Sequence, residues 1–322
     1  MPRLINRQTI FVVQQPNPNA PVSPSGGDAV LASNINFSYI DEKLVEREIL
    51  RASSLGPLSP CFATRRAQLT FSTEIRGSGT AGDAPEVSNL LKISGYAETI
   101  VASTSVSYAL LADPALNVGG SWATIDFYYD REFIRMYNCV ATHNTVLNAN
   151  NFAMDEWTIT GQINSINTNQ PQAIPAYQTT KPVALNNLLF SYPGGGAGTE
   201  NLSSFTFDLA NEILNEESLQ STDGFIAAEI TSRGPVVGTI NPIMQIGSPT
   251  IDWNSLMVAN TIQSLLVGGI GTVAGNICTM TFPAAQVTSV QHIERNKLLA
   301  WDIGLRFSET SSLNDEISRA YT

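Results

Sequence analysis

Between residues 67 and 75 the chain alternates, with Leu69, Phe71, Thr73 and Ile75 in one series and Thr70, Ser72 and Glu74 in the other. A period of two is the pattern of a strand with one face on a core and the other in water. A glycine-rich turn follows, then a short expected helix with Asp83 as N-cap, Pro85 in its first turn and an apolar stripe of Val87, Leu90 and Leu91.

Gly77, Gly79 and Gly82 spell G-x-G-x-x-G between that strand and that helix, with Glu98 where a ribose-binding acid would stand. The surroundings argue against a dinucleotide fold, which needs near-continuous apolar parallel strands alternating with helices. Here strand follows strand. The loop is therefore expected to be mobile, and no cofactor is expected.

Strand patterns recur at 94–112, 122–129, 133–140 and 153–163, and again at 205–210, 225–232, 278–282 and 298–307, with a helical reading for 253–266. Trp157 and Trp301 stand 144 residues apart, as do Met136 and Met280, which suggests an internal duplication. The expected division is a Pro-rich N-terminal arm (1–35), a first domain (36–165), a polar linker with Pro171, Pro175 and Pro182 (166–187) and a second domain (188–322). The charge-laced start of the first domain reads as helix or exposed strand. The arm is expected to be removable without loss of the fold. Two fused copies let three chains build a ring that six single-domain chains would otherwise build.

Seventeen basic against twenty-eight acidic residues give a net charge of −11, which opposes adhesion to nucleic acid. Charged residues make up only 14 %, against about 25 % in an average soluble protein, which suits extensive protein contact. Cys61, Cys139 and Cys278 are isolated and read as small core hydrophobes rather than a disulfide framework or zinc site. No secretory signal is evident, and the apolar stretch 262–274 is broken by glycines and shorter than the roughly twenty residues of a membrane span. A soluble protein made in the cytoplasm is expected.

Catalytic groupings are scarce. His143 and His292 lack metal-motif spacing and read as surface or turn residues. Asp155 with Glu156, and Glu216 with Glu217, read as solvated charges rather than a hydrolytic pair. The 194–198 glycine run lacks a phosphate-loop lysine and reads as flexible linker. No enzyme is expected, and no metal.

The run Arg65-Arg66, a strand, Gly77-Ser78-Gly79-Thr80-Ala81-Gly82-Asp83-Ala84-Pro85, Leu90-Leu91 and Gly95-Tyr96-Ala97-Glu98-Thr99 resembles the corresponding region of bacteriophage tail tube proteins, and Ile230 to Pro235 with Cys278 to Val290 resembles strands of a second tube domain. Lys92 and Ser94 depart from the usual pattern of the short helix. The resemblance implies a mainly β fold of two tandem tail-tube-like β-sandwich or barrel domains, each with a short flanking helix. It implies a structural virion protein of the fused two-domain type, whose trimeric rings of pseudo-sixfold symmetry stack into a conduit for genome delivery. Its implied partners are itself and other tail proteins: tape measure, baseplate, terminator and possibly sheath. DNA would pass through the lumen without specific binding, and no membrane is involved. On this reading Glu74, Asp126, Asp130, Asp208 and Asp302, outward on their strands, are candidates to line the lumen. Gly77, Ser78, Gly79, Thr80, Ala81 and Gly82, with the N-terminal arm, are candidates for contact between rings. A tail terminator or baseplate ring protein is the alternative; a polysaccharide-degrading tail enzyme ranks below it.

Overall fold

The alternating segments become strands in the computed structural model, which describes residues 7–47, 58–111, 117, 120–168, 172–186, 188–192, 201–221, 223–244 and 251–322. In chain order the strands are β1 (Gln8–Gln15), β2 (Ala29–Val30), β3 (Ala32–Val45), β4 (Cys61–Glu74), β5 (Tyr96–Val101), β6 (Ser105–Leu110), β7 (Trp122–Tyr129), β8 (Glu132–Asn148) and β9 (Met154–Asn167). They continue with β10 (Leu189–Ser191), β11 (Leu202–Asp208), β12 (Asn211–Leu214), β13 (Glu229–Arg233), β14 (Val236–Pro242), β15 (Ile262–Ile270), β16 (Cys278–Arg295), β17 (Leu298–Phe307) and β18 (Ser318–Tyr321). Two six-residue helices, α1 (Ser88–Ile93) and α2 (Trp253–Val258), lie beside them. The protein is mainly β, and every strand pairing is antiparallel, which leaves no βαβ unit among the described residues.

Eight strands form one continuous run in the order β3-β4-β9-β8-β11-β14-β17-β16. The order repeats after four strands, and so does the register. Phe37, Leu69, Ile159 and Ala141 lie in one cross-strand row of the first set. Phe205, Ile240, Ile303 and Val290 form the matching row of the second. In each set a β-bulge interrupts the β8–β9 or β16–β17 ladder, and beyond it a histidine faces a tryptophan, His143 opposite Trp157 and His292 opposite Trp301. The strand order and register of the first set thus recur in the second. Trp157 and Trp301 are equivalent, whereas Met136 and Met280 are not: Met136 pairs with Ile163 of β9, while Met280 faces Val267 of β15 and Arg319 of β18. The second hairpin is five residues shorter between its histidine and its tryptophan, so one offset cannot hold on both strands.

The expected arm joins the sheet at residues 8–15, 29–30 and from 32 onward. β1 pairs with β7 along its whole length and buries Ile10, Phe11 and Val12. Removing it would strip a core strand, so it cannot be a detachable arm. The charge-laced segment is an exposed strand, β3, not a helix. The expected linker is not free either. β9 runs to Asn167, and residues 172–186 cross the first half as an extended strap, with Ala176 N–H donating to the Gly26 carbonyl (2.8 Å) and Leu185 N–H to Asn151 (2.9 Å).

Helix α1 begins at Ser88 after Val87, so Asp83 is not its N-cap. Helix α2 ends at Val258, and 262–266, read from sequence as its continuation, is the first part of strand β15. One apolar core runs through both halves, with Phe282 stacked on Phe307 at 4.1 Å between Phe205 and Phe207. β18 joins the halves by pairing with β16 on one side and β6 on the other.

The β16–β17 turn holds Asn296 and Lys297 at φ of +52° and +66°. A left-handed Lys costs about 1–2 kcal/mol, part of which glycine's entropy takes back. Lys297→Gly is expected to raise stability by about 0.5–1 kcal/mol in urea denaturation; an unchanged or lower midpoint would contradict this conformation.

Candidate functional site

Along the eight-stranded run, core residues such as Leu69, Phe71, Trp157, Ile159, Leu147, Phe205, Ile303 and Leu305 alternate with short polar side chains on the opposite face. In register across that face lie Ser72 and Glu156, Glu156 and Asn144, then Asn144 and Asp208. Further along, Thr206 meets Thr239 with hydroxyls 2.8 Å apart, and Asp302 and Arg306 of β17 face Gln291 and Gln286. The result is a broad surface mostly of Ser, Thr, Asn and Gln carrying Glu74, Glu156, Asp208 and Asp302, with Arg306, with Arg295 bonded to Asn241, and with exposed Val237 between Asp208 and Arg306. Near Val140 the same face is covered by Ala227, Ala228 and Ile230.

Three of the five expected lumen acids, Glu74, Asp208 and Asp302, lie on this face. Asp126 does not. It is buried on β7, where Arg135 grips it with two hydrogen bonds of 2.7 Å, and burial pushes its carboxyl pKa up against the pull of that guanidinium. Asp130 sits in the β7–β8 turn at φ +55°, 3.7 Å from Arg7, away from the polar face. Glu156, set aside from sequence with its neighbour, is exposed in the middle of the surface and accepts from Asn144 at 3.2 Å. Its strand parity was the available signal.

The neighbour Asp155 is no solvated charge. It is fully buried, bound by Arg319 at 2.5 and 3.0 Å and by the Thr145 hydroxyl. Burial alone would raise this carboxyl; Arg319 holds it below its ordinary range. His143 is likewise a core residue. It is 1 % exposed, with ring centroids of Trp157 and Phe207 at 4.8 and 5.7 Å, and burial lowers its pKa to about 3. His292 is exposed and lies over Trp301.

The glycine loop is docked against the 275–276 turn and the strap. Gly79 N–H donates to the Gly275 carbonyl (2.9 Å), Gly77 N–H to Asn276 (2.8 Å), and Thr180 of the strap to the Ser78 carbonyl (2.8 Å). A Cβ on Gly77 would stand 2.1 Å from the Gly275 oxygen, so close backbone approach explains that glycine without a phosphate. Gly77 and Gly82 are buried; Gly79 and Thr80 form the exposed tip, flanked by half-buried Ser78 and Ala81. Glu98 binds Lys92, Ser88 and Tyr108 and is engaged within the chain.

Cys139 and Cys278 are buried as expected, but Cys61 is exposed on β4. Among the described residues no cluster of three or more metal-ligating side chains occurs, and no helix is long and apolar enough to cross a membrane. The 194–198 glycine run lies outside the described residues. No protein-family model matches the chain, and neither does any curated protein.

Proposed function

We propose that this chain is the tail tube protein of a long-tailed bacteriophage: a structural, non-enzymatic virion component whose trimers form pseudo-sixfold rings that stack into a conduit for DNA. One observation carries the reading. The eight-stranded run consists of two four-strand sets joined at β8–β11, and among the described residues both of its ends are open, with β3 unpaired beyond β4 and residues 287–295 of β16 unpaired opposite β17. An open edge on a long sheet is a template for pairing.

The internal joint sets Thr206, Phe207 and Asp208 opposite Val146, Thr145 and Asn144. Carried over by the matching register, the same joint between two copies sets Ser38, Tyr39 and Ile40 of one opposite Arg295, Glu294 and Ile293 of the next. Repetition of one head-to-tail joint closes a ring when the rotation fits. Lining a bore, the sheet presents its polar face, because its other face is core. Affinity for DNA comes from Lys and Arg neutralising phosphates. Four acids with two arginines, one of them already bonded to Asn241, among hydroxyls and amides offer little of that, which suits passage without binding.

Tyr39→Cys with Glu294→Cys, in a Cys61→Ser background, tests the joint. Directly opposed antiparallel residues lie about 4.5–5.5 Å apart, within disulfide reach. Oxidation is expected to give covalent dimers and trimers on a non-reducing gel, and nothing larger. Monomers alone, from protein that forms rings, would refute this edge pairing. Single rings that never stack would instead favour the terminator or baseplate role.

A further inference from the structure

The joint inside the chain and the joint between chains differ in chemistry. Within the chain, the row through Val236 of β14, Phe207 of β11 and Thr145 of β8 is closed, with the three side chains 2, 1 and 0 % exposed. At the matching register the two open edges hold Arg65 of β4, Tyr39 of β3 and Glu294 of β16. Tyr39 is 40 % exposed, Glu294 is exposed and Arg65 is half-buried. Phe207 and Thr145 have a paired strand on each side, whereas among the described residues Tyr39 and Glu294 each lack one.

Two unmatched charges stand in that edge row. The Arg65 guanidinium lies 4.1 Å from the Tyr39 ring centroid and 5.7 Å from that of Phe62. It has no carboxylate partner among the described residues, although its neighbours Arg66 and Lys43 are matched by Asp41 and Glu217. Glu294 has no cationic partner among the described residues either, while the adjacent Arg295 is held by Asn241 of its own chain.

We propose that Glu294 of one copy pairs with Arg65 of the next, over the face of Tyr39, and that this ion pair fixes the register in which the chains join. The proposal rests on the ring reading above. A second copy is the occupant because one open edge carries the cation and the other the anion, at positions that the internal register brings together. Ala67 lies opposite Tyr39, and Arg65 is on the same side of β4 as Ala67, so the guanidinium already stands over the edge strand. One strand spacing, about 4.8 Å, separates that strand from an added neighbour, which a glutamate side chain spans. A slip of two residues keeps every side chain on its own face but costs the pair. In one direction it sets Glu294 opposite Asp41, a carboxylate that Arg66 already holds; in the other it sets Glu294 opposite Phe37.

Sedimentation velocity of the full chain reads ring formation directly. Arg65→Glu and Glu294→Arg, each alone, put like charges at every joint and are expected to weaken association by more than about tenfold per joint, with far-ultraviolet circular dichroism reporting an intact fold. Combined in one chain, the two reversals restore opposite charges and are expected to restore particles with the mass of three chains. Glu294→Gln, the smallest change, is expected to weaken association about fivefold per joint and to flatten its dependence on salt. Wild-type association in both single reversals, or no recovery in the folded combined variant, would overturn the ion pair and leave the ring reading standing. A wild-type chain that forms no ring would overturn the ring reading and this contact with it.

Discussion

Asp155→Ala is expected to destabilise the protein by about 3–5 kcal/mol, the usual cost of leaving one member of a buried ion pair alone. Arg319 is fully buried, and its contacts to Asp155 and Thr145 are what compensate its charge. The loss is felt across the molecule, because Arg319 lies on β18, which stitches β16 of the second half to β6 of the first. Arg319→Met alone should cost a comparable amount by leaving the carboxylate without its partner. Asp155→Leu combined with Arg319→Met should recover most of the loss, since an apolar pair of similar volume often replaces a buried ion pair at little cost. Chemical denaturation of the wild type, Asp155→Leu, Arg319→Met and the double variant closes the cycle. Additive single and double effects would mean that the two side chains are not energetically coupled.

The second large effect is acid lability through His143. Its pKa falls from an ordinary 6.5 to about 3 in the folded chain, because burial among Trp157, Phe207 and Tyr96 penalises the imidazolium. The unfolded chain therefore binds the proton first. Stability from this group is complete above pH 6.5 and is lost progressively as pH falls from there toward 3. By pH 5 the loss is about 2 kcal/mol, at about 1.4 kcal/mol per unit. His143→Phe should remove that part of the slope between pH 7 and 5 while keeping an aromatic ring in the cage. Asp155, held low by Arg319, loses its contribution in the same direction at still lower pH. An unchanged slope in His143→Phe would assign the acid sensitivity elsewhere.

Strand content was legible in the sequence because alternation reports burial on one face, as it does from Leu69 to Ile75. The polar face was legible to the same extent: Glu74, Asp208 and Asp302 lie on it because parity predicts the exposed side of a strand. Parity failed at Asp126, where β7 is enclosed between β1 and β8 and Arg135 arrives from the opposing strand. Nothing local marks that covering. His143 and Asp155 were misread for the same reason, since their partners Arg319, Phe207 and Tyr96 come from distant segments. Thr9 to Val13 has a short strand pattern in the sequence; the prolines that follow it obscured only its place in the core sheet. Trp157 and Trp301 pointed to the recurring order, but the five-residue difference in hairpin length hid the matching histidines until the register was known.

Electron microscopy of the full chain, fresh and after concentration, with two-dimensional averaging, tests the central claim most directly. The account predicts rings with threefold symmetry and a pseudo-sixfold outline, stacked into hollow tubes. Image averages showing only monomers or compact closed dimers, under conditions where the chain is folded, would contradict it.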